Sequence, residues 1–453
     1  MKFPFHFSIP EGFDAFYYLT QNPDVVAAGM TTPQAAWTHY LKWGMAEGRS
    51  PQAPAVAEPA PAGPPETIPP PPDPILESDP IMEITLTVKS DRLAGTDGDD
   101  VFHAPIEQIE ASNAGTLQLG DRIDGGVGFD TLIASLVGGM VAPHLDSIEH
   151  LQLSAYYPST VQAAYVQGLT DLTITQSLAP LAIQQLPDLV NLHLQDLVTV
   201  LDAAGQPNHI TLNYQPQALA GRAEQSISLD NAWLKPGGTQ LYIGTHGSAS
   251  LNVLDISVIG ASSLGGIAGA PGAGYNSPSS AVLDGLHTVR VDARSVVDLG
   301  KLAAPHLKQL DASASSAGVS VDLSLVVSPS LAIHGGAGDD SVIIDVSHIQ
   351  QPVHLSTGGG HDTLVLSGLG SSVQDAPVVL RGTHTAATVD AALAARHSAS
   401  DALLVYWQDV GGQVWLGLDA DGSNNAEGAG IQLLATLNDL ALSDIPGGLT
   451  LIY

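Results

Sequence analysis

Two nine-residue stretches, Gly125 to Ile133 (GGVGFDTLI) and Gly335 to Ile343 (GGAGDDSVI), follow the order Gly-Gly-x-Gly-x-Asp-x-apolar-x. That is the nonapeptide spacing of calcium-binding β-rolls. Near matches accompany them: GTDGDDVF from Gly95 to Phe102, and GGGHDTL from Gly358 to Leu364. Calcium takes about six to eight hard oxygen ligands. Glycine lets successive carbonyls turn inward, aspartate supplies charge, and the apolar residue that follows anchors a strand. One turn provides half a coordination shell, so such turns must act in stacked pairs. One candidate pair joins Gly336, Gly338, Asp339 and Asp340 to Gly358, Gly360 and Asp362. The other draws on Asp97, Asp99, Asp100, Asp121, Asp124, Gly126, Gly128 and Asp130. Crowding these carboxylates without a cation is costly, because like charges repel at short range. A Gly-rich corner that holds no ion is the competing reading of any single turn.

The elements that must position these turns are short β-favouring runs separated by Gly, Asn, Asp and Ser from residue 81 onward. Apolar residues recur at Leu169/Leu172/Ile174, Leu178/Leu181/Ile183 and Leu189/Leu192/Leu194. Apolar-x-apolar pairs follow at Ile210/Leu212, Ile227/Leu229, Leu241/Ile243, Leu251/Val253, Val289/Val291 and Val319/Val321. Spacings of roughly 10–20 residues suit one strand per face of a coiling rung that buries its apolar side only against the next. The fold class this implies is mainly β, an irregular parallel β-solenoid or β-roll; a β-sandwich of the same short strands is the alternative.

Seven segments follow along the chain. Residues 1–12 form an arm whose Phe3, Phe5, Phe7 and Ile9 alternate like a strand, and residues 13–50 a small, aromatic-rich α-helical module. Residues 51–80 are a Pro-rich linker, 81–145 a first calcium-binding β-roll region and 146–333 an irregular solenoid. Residues 334–370 carry the second set of turns, and 371–453 form a C-terminal β module. Within that module, Asp419 to Glu427 reads as an acidic hairpin turn. The aromatics of the helical module are the core of a unit too small to fold without them, or else a face that docks a sugar or a partner.

Lys and Arg number 14 against 46 Asp and Glu, a formal net charge of −32. Nucleic acid and anionic membranes are repelled by such a chain, and cations are attracted. With no cysteine, disulfides, zinc thiolates and a thiol nucleophile are all excluded. The start MKFPFHFSIPEGF lacks the apolar core of a cleavable secretion signal, and no apolar run reaches membrane-spanning length. HExxH, GxSxG and P-loop patterns are missing, and the 16 histidines are scattered. The expectation is a protein that is not an enzyme. Arg290 and Arg294 near Asp292 and Asp298 are the one arrangement a polysaccharide lyase could use, and a surface ion pair explains it as well.

The succession VKSDRLAGTDGDDVFHA (88–104), LQLGDRIDGGVGFDTLIA (117–134) and LDSIEHLQLS (145–154) resembles, in order and spacing, the Caulobacter-type RTX S-layer proteins of Gram-negative bacteria. LAIHGGAGDDSVII (331–344) and VHLSTGGGHDTLVL (353–366) resemble that family's calcium turns, and 402–445 resembles its last module with a type I secretion signal. Residues 18–51 resemble a small module found at the ends of bacterial secreted proteins. The resemblance implies a β-solenoid secreted without cleavage that assembles, with Ca2+, into a lattice, filament or sheath at the cell surface. Its partners would be copies of itself and cell-surface polysaccharide or lipopolysaccharide. The chain is shorter than members of that family, and their tandem array is here cut to isolated turns. A glycan-binding adhesin and a β-helix polysaccharide lyase or epimerase are the rival functions.

Overall fold

The computed structural model describes scattered residues between 18 and 50, and then 81–109, 112–201, 207–221, 223–233, 240–245, 251–270, 282–369, 378–383, 403–419, 431–439 and 449–452. The chain divides into two compact units, Met1–Leu76 and Glu77–Tyr453. In the first, helical positions lie singly or in pairs between 18 and 39 among the described residues, followed by a π-helical segment, Tyr40–Gly44. Tyr18 is fully buried, with its hydroxyl 2.9 Å from His39 Nδ1 and its ring edge-on to Tyr40. Arg49 donates to Asn22 and Asp24, each at 2.7 Å. Among the described residues a helical module over 13–50 is not seen as a unit, and the arm 1–12 and linker 51–80 lie outside the described residues.

The second unit is mainly β, and most of its strands belong to one large, mostly parallel sheet. Pairing skips alternate strands. Asp171–Thr175 pairs with Asn191–Gln195, and that strand with Ala223–Asp230. Between them in sequence, Leu181–Leu186 pairs with Ile210–Tyr214, and that strand with Gln240–Thr245. Two parallel ladders therefore grow in alternation, the first containing Asp171–Thr175 and the second Leu181–Leu186. Both spring from one long strand, His150–Gln162, which pairs with Asp171–Thr175 through its first residues and with Leu181–Leu186 through its last. Among the described strands, antiparallel pairing is confined to Ile106–Ile109 with Ser112–Gly115, and to Leu403–Gln408, Val414–Asp419 and Ile431–Leu437. The last of these lies parallel on Val353–Ser356. An antiparallel sandwich is thus not what the short strands build. Asp419 stands opposite Ile431, as a hairpin requires, although residues 420–430 lie outside the described residues.

Parallel pairing in register stacks like on like. Leu151, Leu172, Leu192, Ile227, Ile256 and Val291 form one continuous buried column through the first ladder. Leu181, Ile210, Leu241 and Ile267 form another through the second. The apolar repeats of the sequence marked Leu172, Leu192, Ile227 and Val291 of the first column and Leu181, Ile210 and Leu241 of the second, but not Leu151, Ile256 or Ile267. Each such side chain contributes about 1.5–3 kcal/mol by leaving water. Leu192→Ala should therefore cost about 2–5 kcal/mol, since a column filled above and below collapses poorly around a cavity. Val410→Ala, at a site 83% exposed, should change stability by less than about 0.5 kcal/mol. Urea denaturation of the two variants provides the comparison.

Candidate metal-binding turns

The Gly95 turn joins strand Arg92–Ala94 to strand Val101–Ala104, and the Gly125 turn joins Arg122–Asp124 to Thr131–Val141. They stack. Gly95 N–H donates to the Asp124 carbonyl at 2.8 Å, Asp100 N–H to Asp130 Oδ1 at 2.7 Å, and Phe129 N–H to Asp99 Oδ1 at 2.7 Å. The pattern repeats at the second pair. Gly335 N–H donates to the Ser356 carbonyl at 2.7 Å, Asp340 N–H to Asp362 Oδ1 at 2.9 Å, and His361 N–H to Asp339 Oδ1 at 2.7 Å. The sequence pairing of 335–340 with 358–362 is thus a physical stack, and so is that of 95–100 with 125–130.

One rule explains where the buried carboxylates sit. A strand that leaves a tight turn presents an amide just before its ladder begins, and a buried amide must find an acceptor. The carboxylate at the same register on the next strand of the ladder supplies it. Met82 N–H donates to Asp100 Oδ1 at 2.7 Å, Asp100 to Asp130, and Asp130 N–H to Glu149 Oε2 at 2.8 Å. In the second ladder Val319 N–H donates to Asp340 Oδ1 at 2.8 Å, and Asp340 to Asp362. The other oxygen often closes the carboxylate's own turn, as Asp340 Oδ2 does by accepting Gly336 N–H at 2.7 Å. At the last stacked turn Asp439 accepts Thr357 N–H at 2.9 Å and Gly358 N–H at 2.7 Å.

Glu149 and Asp439 were missed in the sequence. Glu149 could have been found, because it precedes His150 as Asp130 precedes Thr131, and those two residues are register mates. Asp439 follows an ordinary strand 82 residues from its partner Thr357, with no motif to mark it. Asp121, grouped by sequence with the first pair, instead accepts Asp91 N–H at 2.9 Å and Gln118 N–H at 2.6 Å in a separate three-stranded sheet. Asp97 and Asp124 are exposed. Gly126, Gly128, Gly358 and Gly360 have positive φ. Gly336 and Gly338 do not need that freedom: a Cβ there would strike the backbone of Ala312, Ser315 and Ala317 in the preceding turn.

Burial raises the Asp130 carboxyl above the usual range, with the charges of Glu149, Asp100 and Asp99 adding to it and the Asp100 amide opposing. Burial also raises Asp340. At Asp100 burial acts the same way, but donation from Thr96 and Met82 outweighs it and holds the group low. Among the described residues no three carboxylate or imidazole groups converge. Side chains alone therefore do not form a calcium shell, and turn carbonyls would have to supply most of it. Asp130 Oδ2 is the one carboxylate oxygen among the described residues that is buried without a hydrogen-bond partner. It has the lone pairs a cation needs, in a place where the existing hydrogen bonds do not compete. No protein-family model matches the chain, and no curated protein matches it significantly.

Asp362 is pushed up to about 6, mainly by burial and further by the Asp340 and Asp339 charges, against an ordinary value of 3.8. Between those two values the folded chain holds a proton that the unfolded chain has released, so stability rises as pH falls through that window. Asp130 and Asp340, also raised, act in the same direction. In chelator the melting temperature should therefore climb from pH 7 to pH 5, and Asp362→Asn should flatten that climb. A thermal series across this range tests it.

Proposed function

We propose that the protein is a secreted, extracellular structural protein whose two ladders are faces of a parallel β-solenoid, stabilised by Ca2+ at its Gly/Asp turns, and which self-assembles at the cell surface as a layer, filament or sheath. The observation that carries this reading is Asp130: fully buried, one oxygen unpartnered, and facing the charges of Asp100, Asp99 and Glu149. A divalent cation would relieve that repulsion. Asp130 and the stacked turn carbonyls around Gly126 and Gly128 would hold it, with Asp362, Gly358 and Gly360 the corresponding donors in the second pair. The ion supplies charge neutralisation and a cross-link between rungs, so binding only the folded form shifts the equilibrium toward it.

Copies with a net charge of −32 repel one another unless cations bridge them, which makes assembly calcium-dependent too. Cell-surface polysaccharide or lipopolysaccharide would be the anchor. A structural rather than catalytic role is supported at Arg290, one of the two arginines a lyase could use. Its guanidinium is engaged by Glu224 at 2.7 Å and by Asp255. Among the described residues no helix is long and apolar enough to cross a membrane.

Electron microscopy and thermal melts of the full chain, in millimolar Ca2+ and in chelator, test this reading. Ordered assemblies and a raised melting temperature are expected only with calcium; calcium-indifferent monomers would remove it. Asp130→Asn separates the ion from the hydrogen bond. It keeps an acceptor for the Asp100 amide and removes a repelled charge, so its melting temperature in chelator should equal or exceed that of the wild type. Its calcium-induced increase should shrink. Asp130→Ala, which orphans the amide, should lose about 1–3 kcal/mol even in chelator.

A further inference from the structure

We infer that the solvent face of the first ladder is a binding groove for an uncharged polysaccharide chain, a site that borders the Gly125 turn. Two open clefts lie on that face, one of about 360 Å³ around His150, Asp171 and His193, the other of about 300 Å³ around Ser257, Arg290 and Asp311. Both border the same strand. The first reaches Ser228 on strand Ala223–Asp230 and the second reaches Ser226 on the same strand. From His150–Gln162 to Gln309–Asp311 the face crosses seven strands of the ladder. At about 4.8 Å between strands, that is a track of roughly 30 Å, far longer than a small-molecule site.

The register that stacks leucines inside also stacks polar groups outside. His193, Ser228, Ser257 and Asp292 are successive register mates, and the row ends at Thr173, which is buried with its hydroxyl 2.9 Å from His150 Nε2. Such a row repeats hydroxyl, imidazole and carboxylate groups at the strand spacing, which suits a ligand that repeats hydroxyls along its length. An extended peptide fits less well, because it gains its main-chain hydrogen bonds at a sheet edge, and a sheet face offers only side chains. A polyanion is disfavoured as well. Asp171, Asp230, Asp255, Asp292 and Asp311 line the track, and the positive charge of Arg290 is already taken by Glu224 and Asp255.

At the far end Phe129 is 47% exposed and lies 6.3 Å from the His150 ring. It is an apolar platform for the face of a pyranose ring. Its amide is fixed by Asp99, so the Gly125 turn also aims this aromatic at the groove.

The test uses the full-length protein in affinity electrophoresis against dextran, a soluble β-1,3-glucan, galactomannan and xyloglucan, with alginate as the polyanion. At least one neutral polymer should retard the protein, and alginate should not. Ser257→Arg fills an exposed position on the groove floor, and Phe129→Ala removes the platform. Each should weaken retardation at least tenfold while leaving the melting temperature of Ser257→Arg unchanged. Failure of all four neutral polymers, preference for alginate, or retention unaffected by Ser257→Arg would overturn the proposal. Parallel runs in calcium and in chelator keep this outcome distinct from that of the calcium reading, since neither substitution removes a turn carboxylate.

Discussion

The stacking of the Gly/Asp turns depends on how a strand of the parallel ladder begins. At these turns a strand starts abruptly, and the amide just before it has no backbone partner on the neighbouring strand. A carboxylate at the same register on that neighbouring strand accepts the amide, as Asp100 does for Met82, Asp130 for Asp100, and Glu149 for Asp130. The arrangement is demanding in two ways. It works only if the turns stack in register, which is why Gly125 and Gly335 have no room for a side chain. It also gathers negative charge in a buried column, which either raises carboxyl pKa values or calls for a cation. The upward shifts at Asp130, Asp340 and Asp362 express that tension directly.

The same register organises both sides of the sheet. Inward, it aligns Leu172 with Leu192 and Ile227; outward, it aligns Thr173 with His193 and Ser228. A slip of one residue would exchange the two sets, so the apolar column that holds the ladder together also specifies the polar track. At the C-terminal end the regime changes. Ile431–Leu437 lies parallel on the ladder through one edge and antiparallel to Val414–Asp419 through the other. Its strand edge is thereby covered, and Asp439 just beyond it completes the capping of the last turn. A long open ladder is a template for aggregation unless its edge is managed.

Much of this was legible in one dimension. The apolar-x-apolar pairs marked Leu181/Ile183 and Ile210/Leu212, and these are fully or nearly fully buried register mates. The Gly-Gly-x-Gly-x-Asp spacing located both stacks of turns. The part each aspartate plays was not legible. Asp121 sits in a motif-rich stretch yet caps a different sheet, whereas Glu149, outside the Gly/Asp turns, continues the Asp100–Asp130 series.

Spacing and composition alone settle the local matters: where turns must occur, which residues face inward, and that the chain is strongly acidic. They do so because turn chemistry and two-residue alternation act over a few residues. Only the folded chain decides which turn lies on which, whether a carboxylate holds an amide or leaves an oxygen open as Asp130 does, and which polar side chains share a face. Those outcomes depend on register between segments that lie roughly 20–80 residues apart in sequence, and register is set by the summed packing of many columns rather than by any single motif.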